Sequence, residues 1–331
     1  MKLATVGTNW ITALFIEAAE ETEGIELAAV YSRSQQNAEA FAEKHNAPLY
    51  FTDLAEMAVS AGIDCVYIAS PNSLHFEQAM LFLENKKHVI CEKPVFSNTK
   101  EFEAAHQKAK ENGAFLFEAL RGLHTPNFKK LQEELVNIGN VRHVLLHRNK
   151  YSSRYENVLQ GEEPNIFSLN YSGGALADLG VYPLSVAVAL FGKPHKVSYS
   201  AVLLPTGVDG SGTLVMDYPE FVCTILCSKI STSYIDSEIQ GEQGTILIDD
   251  TAALTNLKRM DSKTSERHNI GSIQSDKNMK YEIEKFLHII ESGNRSEYES
   301  LTQISRDILS ITETARKQNG IIYSSDKEET Q

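Results

Sequence analysis

The sequence predicts an α/β protein in two parts. A doubly wound parallel sheet spans residues 1–120, and an α+β part with a large, mostly antiparallel sheet spans residues 121–331. Three observations predict it. Short apolar runs alternate with longer helix-compatible stretches through the first 120 residues, the pattern of parallel strands covered on both faces. From residue 195 to 258 the pattern becomes strand after strand, with Pro219-Glu220 and Gln243-Gly244 among the turns, as in antiparallel meanders. The chain has 331 residues, enough for about two domains. A chain of that size buries roughly three quarters of its unfolded surface and needs no staple.

In the first part the strands fall at residues 3–6, 25–31, 49–51, 65–69, 88–91 and 114–117, with helical stretches at 34–45, 53–60, 73–85 and 99–112. Several helix ends have chemical signals. Asp53, with Glu56 three residues on, is a variant of the capping box. Asn72 and Ser73 can cap the helix after Pro71. Asn112-Gly113 ends a helix with a residue able to take positive φ. Right-handed crossovers between such strands give a Rossmann-like layer. In the second part a helix at 126–137 leads to a strand at 141–149, a polar loop at 152–171 containing Pro164, and a helix at about 174–191. Strands follow at 197–204, 212–218, 221–229, 233–240, 245–248 and 254–258, then helices at 280–292 and 301–318. The polar end, residues 324–331, is expected to fray.

Thirty-one Lys and Arg against 44 Asp and Glu give a net charge of −13. This argues against nucleic acid and anionic membrane as main partners, since both require a cationic footprint. An anionic cofactor would then depend on local dipoles and a few placed cations. Cys65 and Cys91 lie in apolar runs and read as reduced core thiols. Cys223 and Cys227 are evenly spaced on a strand and can share a face. No histidine pair with zinc spacing accompanies them, so no metal site is expected. No stretch approaches 18 apolar residues, so no membrane span is expected. The N-terminus reads as a strand start rather than a signal peptide, which makes a reducing cytoplasm the expected location.

Four segments carry candidate chemistry. The first strand runs into Gly7-Thr8-Asn9-Trp10-Ile11-Thr12 and a helix, the place where a dinucleotide fold puts G-x-G-x-x-G and seats a pyrophosphate. Only the first glycine is present. Asn9 tolerates left-handed φ better than most residues, and its side chain takes space beside the phosphate position. The turn reads either as a nucleotide site or as an ordinary strand–helix connection. The second strand ends at Ser32-Arg33 with no acidic ribose reader, which favours a 2′-phosphate and hence NADP over NAD; the alternative is a solvated arginine. Glu92-Lys93-Pro94 leaves a parallel strand at its C-terminal end, where ligands bind in open α/β sheets, or else is a surface turn. In Gly173-Gly174-Ala175-Leu176-Ala177-Asp178-Leu179-Gly180-Val181-Tyr182-Pro183, Asp178 and Tyr182 share a helix face. Its glycines imply close approach of a ligand or of other backbone. The alternative is a tight helix contact, with Asp178 capping a neighbour.

Together these segments resemble the glucose–fructose oxidoreductase/inositol dehydrogenase (Gfo/Idh/MocA) family. Ala69-Ser70-Pro71-Asn72-Ser73-Leu74-His75, Phe117-Glu118-Ala119, Arg121 and the late Gly241-Glu242-Gln243-Gly244-Thr245-Ile246 turn fit the same pattern in order and spacing. The chain departs from it at Asn9 and Thr12. Tyr182, where many sugar and inositol dehydrogenases have His, looks more like the dihydrodiol and aldose dehydrogenase branch. The resemblance implies an N-terminal NAD(P)-binding Rossmann domain and a C-terminal domain for substrate and for dimerisation through its sheet. It implies Lys93, Tyr182 and Asp178 as catalytic residues. Gly7, Thr8, Asn9, Trp10, Ile11, Ser32, Arg33, Ser70, Pro71, Asn72, His75, Glu92 and Lys93 are then the cofactor contacts, with Arg121, His124 and Asp178 for substrate and Tyr155 a weaker candidate. The implied activity is hydride transfer between NADP (NAD as the alternative) and a secondary alcohol or carbonyl of a sugar-like or cyclic diol. Tyr182 would exchange the proton, assisted by Lys93. The competing readings are a dinucleotide- and sugar-binding sensor, and a cyclic redox step in glycoside cleavage.

Overall fold

The first strand, β1 (Lys2–Val6), is apolar over four consecutive residues, all buried, because helices cover both faces of its sheet. It opens a strict alternation in the computed structural model, which describes residues 1–327. The elements are α1 (Trp10–Ala19), β2 (Glu26–Tyr31), α2 (Gln35–Lys44), β3 (Leu49–Phe51), α3 (Leu54–Val59), β4 (Cys65–Ile68), a 3₁₀ turn (Asn72–Leu74), α4 (His75–Glu84), β5 (His88–Glu92), α5 (Thr99–Glu111) and β6 (Leu116–Ala119). All six strands pair in parallel, in the order β3-β2-β1-β4-β5-β6. The order reverses between β1 and β4, the switch point where open α/β sheets hold ligands.

The caps follow the sequence at most ends. Asp53 accepts from the N–H groups of Ala55 and Glu56 at 2.7 and 3.1 Å, and Gly113 takes φ +69° after α5. Asn72 and Ser73 do not cap as expected. They lie inside the 3₁₀ turn, and the cap positions of that turn and of α4 fall to Pro71 and Leu74, neither of which makes a side-chain cap hydrogen bond.

The second unit is built on α6 (Pro126–Glu134) with a 3₁₀ turn (Leu135–Ile138), β7 (Val141–Asn149), α7 (Tyr155–Leu159), a π-helical turn (Leu176–Gly180) and α8 (Val181–Phe191). The strands β8 (Lys196–Leu203), β9 (Asp209–Asp217), β10 (Val222–Ser228), β11 (Ser237–Gly241), β12 (Gly244–Ile248), β13 (Leu257–Asp261) and β14 (Arg267–Asn269) complete it. Its eight strands run β14-β13-β12-β11-β7-β10-β9-β8. The sheet is mostly antiparallel, but β7 inserts between β11 and β10 and pairs with β10 in parallel, so the expected meander is split. Val144, Leu146, Leu214, Met216 and Ile225 of the sheet form one core with Leu184 and Val188 of α8.

Several expectations need correction here. Residues 233–236 are loop, and the strand expected at 254–258 begins at Leu257, since Leu254 has φ +50° and cannot extend. The loop 152–171 contains α7 and two 3₁₀ turns, and β14 gave no signal in the sequence. One helical run, Leu169–Phe191, is long and apolar enough to cross a membrane by length and composition, contrary to expectation; 67% of its apolar window is buried within the protein. The four cysteines are free and buried, and burial pushes the Cys65 and Cys223 thiols up to about 12.

The chain forms two compact units, Met1–Ala119 with Asp276–Gln303, and Leu120–Ser275 with the chain from Ile304 onward. The expectation that everything after residue 120 belongs to the second part therefore fails for one segment. Helix α9 (Lys280–Ser292) returns to the first unit, burying Ile283, Phe286 and Ile289 in a core with Phe15 and Phe117. Phe286 stacks on Phe117 at 4.4 Å. The last helix, α10 (Arg295–Lys317), begins in the first unit and ends in the second. Nor does the chain fray from residue 324. Arg316, 2% exposed, donates to both carboxylate oxygens of Asp326 at 2.6 and 2.8 Å and to the Ile321 carbonyl at 2.9 Å. The Tyr323 hydroxyl donates to Gly173 at 3.0 Å. Residues 328–331 lie outside the described residues.

Candidate functional site

In the first unit the parallel register aligns Val6 with Tyr31 and Ile68, and Ile68 with Cys91. The residues that end or follow these four strands therefore emerge along one edge: Gly7–Ile11, Ser32-Arg33, Ser70–Asn72 and Glu92-Lys93. Gly7 takes φ +111°, and a Cβ there would lie 2.9 Å from the Ala69 carbonyl oxygen. The glycine thus permits the turn to close against the end of β4.

Asn9 is not left-handed. Its φ is −86°, and it is the N-cap of α1. Its Oδ1 accepts from Ile11 and Thr12 N–H at 2.9 and 3.2 Å, and its Nδ2 donates to the Ala69 carbonyl at 2.8 Å. The amide side chain therefore ties β1 to β4 across the switch point and occupies two of the donors at the helix start. Thr8, Asn9 and Trp10 supply the other main-chain N–H groups of the turn. Thr12 is fully buried, as the packing position after the turn requires. Trp10 is 71% exposed at the first position of α1. Arg33 is exposed beside Ser32. Among these groups, main-chain donors and a cation on one edge suit a dinucleotide with a 2′-phosphate.

His75 does not line this edge. It is fully buried, with Nε2 2.9 Å from the Ser70 carbonyl and Nδ1 3.0 Å from the Pro94 carbonyl. Burial holds its ring below the ordinary imidazole range, against the pull of those carbonyls. It braces the ends of β4 and β5 from behind. Glu92 accepts from the Tyr67 hydroxyl at 2.7 Å. Lys93, half-buried, precedes a cis Pro94. The Val95 N–H donates to Glu118 at 3.0 Å.

In the second unit the glycine-rich segment enters through Ser172 (φ +53°) and Gly174 (φ +124°). A Cβ on Gly173 would strike the Ile166 backbone at 2.7 Å, and one on Gly174 would run into Asp209 Oδ1. The close approach is therefore made by the protein's own backbone and by Asp209. That carboxylate, 2% exposed, accepts from the Leu176 N–H at 2.7 Å and the Tyr199 hydroxyl at 2.5 Å. Burial raises its pKa above the ordinary range even so. Asp209 thus caps the start of this helical run.

Asp178 sits in the π-helical turn, a feature common at functional sites, and pairs with the ammonium of Lys229. Tyr182 follows in the first turn of α8, with the Arg148 guanidinium 5.2 Å from its ring centroid and Arg148 in turn paired with Asp250. Arg121 and His124 form a 3₁₀ turn packed against α8, and the Arg121 Nε is buried with no hydrogen-bond partner among the described residues. Tyr155 packs near Phe167, with ring centroids 6.1 Å apart. The sequence reading missed Lys229, Asp209 and Arg148. Lys229 follows β10, Asp209 opens β9 and Arg148 lies near the end of β7, and the partner of each is remote in sequence, so no local pattern marks it.

Comparison with known proteins adds to this geometry. Residues 1–120 match the oxidoreductase family with an NAD-binding Rossmann fold (GFO_IDH_MocA), and residues 134–247 match the GFO/IDH/MocA C-terminal domain. Scyllo-inositol 2-dehydrogenase (NADP(+)) IolU of Bacillus subtilis is 45% identical over 99% of both chains. Trans-1,2-dihydrobenzene-1,2-diol dehydrogenase of Danio rerio is 27% identical over 92% of this chain and 91% of its own. Among solved structures, KijD10, a 3-ketoreductase from Actinomadura kijaniata in complex with NADP and TDP-benzene, superposes with a TM-score of 0.82 at 20% identity over 96% of this chain and 97% of its own.

Proposed function

The chain belongs to the GFO/IDH/MocA oxidoreductase family. From that premise we propose that it is an NADP-dependent dehydrogenase that interconverts a secondary alcohol and the matching carbonyl on a cyclic polyol or sugar-like substrate. The observation that carries this reading is the 45% identity, over 99% of both chains, to an enzyme named for scyllo-inositol and NADP+. A relative named for a ring diol points to the same substrate class. NADP, when bound, supplies the hydride donor or acceptor.

The chain's own residues have distinct tasks in this proposal. The N–H groups of Thr8, Asn9 and Trp10, at the start of α1, hold the pyrophosphate. Ser32 and Arg33 take the 2′-phosphate. Ser70, Pro71, Asn72 and Glu92 shape the edge, and His75 supports it from the interior. Tyr182 gives or takes the hydroxyl proton, and the Lys93 ammonium favours the charged form of whichever oxygen it faces. Asp178 accepts a second substrate hydroxyl, and Arg121 and His124 flank it. The exposed Val202 and Leu203 on β8 are the proposed start of a homodimer surface, to be checked by light scattering.

The test is turnover of scyllo-inositol and of a trans-dihydrodiol with NADP+ and NAD+. Lys93→Ala and Tyr182→Phe should each lose about 10²–10⁴ in kcat. Arg33→Ala should raise KM for NADP+ and leave KM for NAD+ unchanged. Near wild-type kcat in both catalytic variants would overturn the assignment.

A further inference from the structure

Lys229 is a lysine with no surface role. Its side chain is 1% exposed, and it follows β10, with its N–H bonded to Gly210 and its carbonyl accepting from Ser152, each at 2.8 Å. Both main-chain groups are therefore anchored. The ammonium pairs with Asp178, whose side chain is 28% exposed. It also lies 5.0 Å from the centroid of the fully buried Phe167 ring, within the electrostatic reach of Asp209. A buried ammonium is costly unless it is paired. This one is held by an aromatic face and by a carboxylate that reaches towards solvent.

We propose that Lys229 is a positioning residue: it fixes the Asp178 carboxylate, through the π-helical turn that carries it, as an acceptor for a substrate hydroxyl. The inference rests on the reading of Asp178 given above. The chemistry follows from the pair. A carboxylate paired with an ammonium accepts hydrogen bonds without donating them, so the site suits a neutral hydroxyl rather than an anionic group. With Nζ engaging one oxygen, the carboxylate cannot swing. A misplacement of about 1 Å at such a contact costs roughly a hundredfold in rate.

The test uses the full chain, NADP+ and scyllo-inositol as probe. Lys229→Met should lower kcat/KM by about a hundredfold, while NADP+ affinity, read from the fluorescence of Trp10, stays within about twofold. Lys229→Arg, which keeps the charge, should recover most of the loss. In the Asp178→Asn background, Lys229→Met should cost less than about threefold more, because residues that act through each other are not additive. A full loss in that background, or no rescue by Arg, would show that Lys229 acts on stability alone and overturn the proposal. If Lys229→Met fails to fold, the Arg variant and the Asn background decide in the same way. If Tyr182→Phe and Asp178→Asn are impaired while Lys229→Met is not, only this inference fails. If none is impaired, the site reading itself fails.

Discussion

The two units hold their chemistry by different means. In the first, the strand ends are fixed by side chains bonded to main-chain groups: Asn9 to Ile11, Thr12 and Ala69, and His75 to Ser70 and Pro94. In the second, buried charged side chains join segments remote in sequence: Lys229 on Asp178, Asp209 on Leu176 and Tyr199, and Arg316 on Asp326. The difference sets the cost of failure. Loss of a cap exposes one or two N–H groups that water can reach, at about 1 kcal/mol. Loss of one partner from a buried ion pair leaves a charge with nothing to solvate it, at about 3–5 kcal/mol.

The largest expected effect is therefore Arg316→Met. Asp326 is 5% exposed and would lose its two hydrogen-bonded guanidinium contacts, keeping only Lys317 at 3.9 Å as a counter-ion. The same segment holds Gly173 through the Tyr323 hydroxyl, at the entrance to the turn that carries Asp178. Urea unfolding should show a loss of about 3–5 kcal/mol. A loss under about 1 kcal/mol would mean that the second unit is not held by its buried charges, and the contrast between the units would collapse.

Two glycines sharpen the comparison. Gly174 in the second unit has φ +124° and faces Asp209, whereas Gly113 in the first has φ +69° with nothing within 4 Å of a built Cβ. Gly113→Ala should cost about 1–2 kcal/mol, the left-handed backbone term alone. Gly174→Ala should cost more than that, because it also displaces a buried carboxylate, and circular dichroism melts of the two variants would rank them. Asn9→Ala comes next, at about 1 kcal/mol. NADP+ affinity should not fall with it, since Ile11 and Thr12 regain donors for a phosphate. A loss beyond about tenfold in Trp10 fluorescence titrations would make the Asn9 side chain itself a phosphate contact.

The same contrast explains what could be read from the sequence. The parallel sheet was legible because its buried strands are unbroken apolar runs and its caps lie within three residues of their targets, as at Asp53. The glycine turn was legible in position, but Asn9 was read for its tolerance of left-handed φ when its amide was the relevant group. In the second unit, Lys229 and Asp178 are 51 residues apart, and Asp209 and Leu176 are 33 apart. Such pairs leave no periodic trace. The insertion of β7 beside β10 is likewise a choice of pairing, which strand patterns alone do not specify. The return of α9 to the first unit was hidden for the same reason: its amphipathic face states that it packs, not against what.

The smallest expected effect is that of acid, and it should act on the two units with opposite sign. His75 is fully buried, and burial holds its folded pKa below the ordinary 6.5. Below about pH 6.5 the unfolded chain gains a proton there that the folded chain refuses. Its contribution is thus complete above that value and is lost as pH falls towards the folded pKa. Asp209 is the reverse. Its folded pKa is raised by burial, so between the ordinary carboxylate range and that raised value the folded chain binds a proton that the unfolded chain does not. Acidification through this window stabilises the second unit. Urea unfolding followed by Trp10, the single tryptophan and a residue of the first unit, should show stability falling from pH 7.5 to 5.5, with a shallower fall in His75→Gln. Asp209→Asn should remove the opposing gain at lower pH. An unchanged slope in His75→Gln would mean that the imidazole titrates freely in the folded protein, and that the edge of β4 and β5 opens to water more readily than its fixed carbonyls imply.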